Sequence, residues 1–126
     1  MSQQELLSRV VAALDSAGID YMVTGSIASS LHGEPRSTHD VDLLVSIDAS
    51  GARKLTETFR PPAYHLDLEA AVDAIARKGM FNLINTETGD KVDFWVLTDE
   101  PFDRSRFRRK YQEEFMGVRL KVQTPE

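Results

Sequence analysis

Cysteine is absent from the 126 residues, which excludes disulfides, thiolate metal sites and cysteine nucleophiles. Histidine is scarce, and His32, His39 and His65 show no zinc-type spacing. No apolar run approaches the roughly 20 residues that a membrane-spanning helix needs. The opening Met-Ser-Gln-Gln-Glu lacks the basic and then apolar order of a signal peptide. A protein of the reducing cytoplasm, without a membrane partner, is expected. Internal repeats and low-complexity linkers are also missing. Excess positive charge is lacking: the formal net charge is −5, which argues against a purely electrostatic nucleic-acid binder but leaves room for a local basic patch. What is present is ordinary for a globular domain, with 41% hydrophobic and 28% charged residues. The length suits one domain.

Along the chain, strands alternate with helices. Ser2 and Glu5 form a capping-box pair ahead of Leu6, Leu7, Val10, Val11 and Leu14 at helical spacing, and Gly18 ends that helix. Residues 19–24 read as a strand, 26–32 as a short helix stopped by Gly33 and Pro35, and 41–47 as a buried strand. Asp48 is a cap for a helix in which Ala52, Leu55 and Phe59 share a face. Pro61-Pro62 breaks the chain. Residues 67–78 predict a helix with Leu68, Val72 and Ile75 as its apolar stripe and Gly79 as its stop. Residues 81–85 and 91–97 predict two strands around a polar turn, 102–111 a basic helix, and 118–122 a last strand. The fold class is α/β (α+β), with a mixed sheet flanked by helices.

Asp40 and Asp42 are one residue apart on a predicted strand, so their side chains share a face while Val41, Leu43 and Val45 point into the core. Asp93 interrupts a second apolar strand in which Val92, Phe94 and Val96 form the opposite face. Acidic residues are depleted in strands, so three of them need a reason. If the strands are neighbours, three carboxylates converge and repel one another. A divalent cation removes the conflict, and all-oxygen donors suit magnesium or manganese. A pair of such ions about 3.5–4 Å apart stabilises both oxygens of an in-line phosphoryl displacement. The bland alternative is that Asp40 and Asp42 merely begin a solvated strand.

A second motif stands upstream. The predicted strand runs into Gly25, and Ser26 opens a helix. Glycine permits a close backbone approach, serine can cap, and free amides at a helix start can hold a phosphate. No Walker A lysine follows, and no nucleophile-elbow pattern surrounds Ser26.

Gly25-Ser26, thirteen residues, then Asp40-Val41-Asp42-Leu43 and a later Asp93 resemble the signature of the DNA polymerase beta-like nucleotidyltransferase superfamily. The stretch Gly33-Glu34-Pro35-Arg36-Ser37-Thr38-His39-Asp40 is similar to its bacterial branch containing AbiEii-type abortive-infection toxins. The resemblance implies that Asp40 and Asp42 bind both metals, and that Asp93 binds the catalytic metal and helps activate the acceptor hydroxyl. It implies that Gly25 and Ser26 hold the triphosphate. Arg36 could neutralise phosphate or be a solvated loop charge. Such proteins continue into a helical region, so residues 1–126 are expected to form a single nucleotidyltransferase-like domain without it.

The implied activity is magnesium-dependent transfer of a nucleoside monophosphate from a nucleoside triphosphate to a hydroxyl of RNA, a protein or a small molecule, with a toxin–antitoxin partner as one setting. The alternative is a non-catalytic nucleotidyltransferase-like binding partner or antitoxin module. A metal-dependent phosphodiesterase is a third reading, disfavoured by the Gly-Ser turn. Arg104, Arg106, Arg108, Arg109 and Lys110 are read either as one solvated helix face or as a contact to RNA or triphosphate. Trp95 and the phenylalanines are expected in the core, and His39 as a plain loop residue.

Overall fold

The computed structural model describes residues 3–24, 40–115 and 118–123. Among these residues four helices and seven strands follow in the order α1 (Gln3–Ala17), β1 (Asp20–Val23), β2 (Asp40–Ser46), α2 (Ala49–Thr58), β3 (Tyr64–His65), α3 (Leu68–Arg77), β4 (Met80–Asn85), β5 (Lys91–Val96), α4 (Pro101–Arg108), β6 (Tyr111–Phe115) and β7 (Val118–Val122). The strands form one mixed sheet in the order β3-β4-β5-β2-β1-β7-β6. β2 and β5 run parallel at its centre, and β1 and β4 flank them antiparallel. This is the α+β architecture that the alternating elements predict.

One face of the sheet carries Tyr21, Val23, Val41, Leu43, Val45, Phe81, Leu83, Val92, Phe94 and Val96, all buried. Against it lie Leu6, Leu7, Val10, Val11 and Leu14 of α1, Ala52 and Leu55 of α2 with Phe59 just beyond it, and Ala71 and Ala74 of α3. Burying each large side chain here contributes about 1.5–3 kcal/mol relative to exposure. Phe81 stacks on Phe94 with ring centroids 4.9 Å apart. Among the described residues the other face is covered in part: Phe107 of α4 packs with Met22, Leu44 and Leu97 in a smaller apolar cluster.

Local chemistry sets the element ends. Gly18 takes φ +71° after α1, as its place in the sequence predicts. The Gly51 amide donates to Asp48 Oδ1 at 2.8 Å, so Asp48 caps α2. Asp67 caps α3 in the same manner, accepting from the Glu69 amide. The Gly79 amide closes α3 on the Ala74 carbonyl at 2.8 Å, and Lys78 before it takes the left-handed φ of 56°. Two expectations are corrected, and one strand was not foreseen. The buried stripe of α3 is Ala71 and Ala74, with Leu68 and Ile75 packed at its sides, while Val72 is 38% exposed. Small residues let the helix approach its neighbours, and that turns the larger Val72 outward. The strand β3 escapes sequence reading because two residues carry no periodicity. The basic helix ends at Arg108, and Tyr111 begins β6 opposite Val122. The helical spacing of Phe107 and Tyr111 is overridden there by strand pairing.

Candidate active site

The site is built on the even-numbered side of β2 and the odd-numbered side of β5. Their parallel register sets Asp42 directly opposite Asp93 and Leu44 opposite Trp95. On the other flank of β5, β4 sets Asn82 opposite Asp93 and Met80 opposite Trp95. Paired residues share a face, and adjacent strands lie about 4.8 Å apart. Asp42, Asp93 and Asn82 therefore form a half-buried row across three strands, with Leu44, Trp95 and Met80 as the next row. Their sequence neighbours Val41, Leu43, Val92 and Phe94 are fully buried. That anchoring holds the backbone, so the carboxylates cannot exchange faces without expelling core residues.

The indole Nε1 of Trp95 donates to Asp42 Oδ1 at 3.5 Å, a long contact whose value lies in placing the ring beside the carboxylate. The Thr24 amide donates to the Asp42 carbonyl at 3.1 Å, and the Thr24 hydroxyl donates to the same oxygen at 3.3 Å. These bonds extend the β1–β2 ladder past the end of β1, so the chain leaves for Gly25 from beside Asp42.

Of the residues singled out from the sequence, Asp42 and Asp93 are brought together. The Asp40 backbone begins β2 opposite Lys91. Its side chain lies outside the described residues, as do Gly25, Ser26 and Arg36. Among the described residues no group of three His, Cys, Asp or Glu side chains is close enough to hold a metal ion. Paired carboxylate oxygens with a neighbouring amide are nonetheless the donor chemistry that magnesium or manganese takes.

Residues 6–92, more than half of the chain, match the family described as aminoglycoside-2''-adenylyltransferase. The chain belongs to that family. Membership in the aminoglycoside-2''-adenylyltransferase family makes it a nucleotidyltransferase-type protein, in keeping with the superfamily resemblance of its Gly-Ser and Asp-x-Asp motifs. The matched residues include Gly25, Ser26, Asp40 and Asp42, and stop one position before Asp93. No curated protein matches the chain. No helix among the described residues is long and apolar enough to cross a membrane.

The basic run of this adenylyltransferase-family chain is largely engaged within the fold. Arg104 pairs with Asp99 at 2.8 Å, Arg106 with Asp103 at 3.2 Å and Lys110 with Asp20 at 3.0 Å. Asp20 also pairs with Lys121 at 2.8 Å. Burial pushes the Asp20 carboxyl up, but the two lysines outweigh it and hold the group below its ordinary value. This cluster ties β1, β7 and the end of α4 together. Two site residues escaped the sequence reading. Asn82 is one. Trp95 is the other: it is 47% exposed on the carboxylate face, not in the core. Period-two counting from Asp93 places it there, and its size alone suggested otherwise.

Proposed function

We propose that the chain transfers a nucleoside monophosphate, adenylyl in keeping with its family's name, from a nucleoside triphosphate to a hydroxyl of a small-molecule acceptor. The observation that carries this reading is Asp42 facing Asp93 across the two central parallel strands of a nucleotidyltransferase-family chain. Asp40, two residues from Asp42 on the same strand, completes the carboxylate set. Gly25 and Ser26 hold the triphosphate where the chain leaves β1, and Arg36 adds positive charge to it. The acceptor oxygen attacks the α-phosphorus, the bond to the bridging oxygen breaks, and pyrophosphate departs. Asp93 takes the proton of the acceptor hydroxyl. Magnesium or manganese, held by Asp40, Asp42 and Asp93, would neutralise the phosphate charge that these carboxylates would otherwise repel.

An acceptor of amino-sugar type is favoured by the family match. The stretch around Arg36 also supports a place near the AbiEii-type branch, in which a toxin–antitoxin partner and an RNA or protein acceptor would belong. We favour the small-molecule acceptor, because three cations of the basic run that nucleic acid would need are held by the chain's own carboxylates. The test is incubation of the chain with α-labelled ATP, magnesium and an aminoglycoside, following pyrophosphate and label on the acceptor. Stoichiometric release of pyrophosphate with labelled acceptor is expected. Nucleotide binding without pyrophosphate release would favour the non-catalytic binding module instead.

A further inference from the structure

We propose that Trp95 is the platform on which the acceptor ring lies, a positioning residue that sets acceptor specificity; this rests on the nucleotidyltransferase reading above. Trp95 stands two residues beyond Asp93 on the same face of β5, and its indole reaches Asp42 Oδ1. A tryptophan on a sheet flanked by helices is ordinarily covered, yet this one is 47% exposed and its cross-strand neighbour Met80 is 38% exposed. The α4 residue Phe107 packs with Met22 and Leu44 of the same row, while Trp95 and Met80 stay part-exposed. The result is a part-exposed aromatic and thioether surface bordering a pair of carboxylates.

The sheet order says which substrate it meets. β1, which delivers the chain to Gly25 and Ser26, lies on one flank of β2, and β5 and β4 lie on the other. Thr24, from which the chain runs on to the proposed triphosphate residues, and Trp95 therefore lie on opposite flanks of Asp42. A ligand on Trp95 sits beside Asp93, where the acceptor hydroxyl is activated. The indole face selects a ring with an apolar face and an ammonium group, because the ring stacks on the indole and the cation is drawn to its face and, before a metal binds, to the carboxylates. An amino sugar has that chemistry. A neutral nucleobase carries no cation for the indole or the carboxylates to attract.

Trp95 is the chain's single tryptophan, so its fluorescence reads this surface directly. Kanamycin titrated into the wild-type protein should shift the emission saturably without nucleotide, and should add a further saturable shift to whatever magnesium-ATP causes through Asp42. Trp95→Ala should raise the acceptor KM roughly tenfold and leave the KM for ATP unchanged, and Trp95→Phe should restore most of the loss. An emission that responds to magnesium-ATP but not to kanamycin overturns the proposal. So does transfer by Trp95→Ala with an unaltered acceptor KM, which would leave the Asp42–Asp93 reading standing. A saturable kanamycin response in a wild-type protein that transfers no label would support the platform and sink the transferase reading.

Discussion

On β5, Val92 and Phe94 are fully buried, while Asp93 between them is half-buried and Trp95 is half-exposed. The same division runs through β2, where Leu43 is sealed in the core and Asp42 is not. The two faces of one sheet thus have different duties. The face under α1, α2 and α3 supplies stability. The face shared with α4 holds two half-buried carboxylates and a half-exposed indole, at a cost in burial that a purely structural sheet would avoid. Strand alternation lets neighbouring residues serve both ends, and the sealed side fixes the geometry of the open side.

The contrast is sharpest when one residue from each face is changed. Phe94→Ala should lose about 3–5 kcal/mol of stability in denaturant titration, because the ring is fully buried and stacked on Phe81. Asp42→Asn should leave the thermal melt unchanged or slightly raised, since it removes a carboxylate facing Asp93. Its transfer rate should fall on the order of 10³-fold, the scale at which lost charge stabilisation is felt in phosphoryl transfer. Unimpaired transfer in that variant would remove Asp42 from the mechanism. Collapse of its fold would instead make it a structural residue.

Within the open face, Asp93→Asn separates two roles. If Asp93 acts mainly on the acceptor hydroxyl, this variant should retain magnesium-dependent nucleotide binding and lose transfer. Equal loss of binding in Asp42→Asn and Asp93→Asn would contradict that division. A smaller effect belongs to the helical side. Asp48→Ala should cost about 1 kcal/mol by removing the cap of α2, without altering transfer.

The smallest effect is a matter of pH. The Asp20 carboxyl is held below its ordinary value in the fold, so its ion pairs stabilise fully above the unfolded value of about 3.9 and lose that contribution as pH falls through the lower folded value. Asp20→Asn should flatten the acid limb of stability in that window, with its small loss of stability expressed in full at neutral pH and absent well below the folded value. Partial exposure of the group keeps the effect small.

Much of this was legible in the sequence. Period two around Asp42 and Asp93 marked which side was sealed, and Gly18 and Asp48 marked helix ends by their own chemistry. The pairing of β2 with β5 could not be read from spacing, because it joins strands separated by two helices and two further strands. The place of Trp95 was missed because size was allowed to outweigh alternation. The buried stripe of α3 was missed because Ala71 and Ala74 carry a weak hydrophobic signal but pack most closely.

The central claim is that the open face binds a metal-bridged triphosphate through its carboxylates. Calorimetric titration of ATP into the wild-type protein, with and without magnesium, tests it most directly. Each ligand should tighten the other, so ATP should bind measurably more tightly with magnesium than without, and the difference should vanish in Asp42→Asn. Equal ATP affinity with and without magnesium, or an undiminished magnesium effect in Asp42→Asn, would contradict the account.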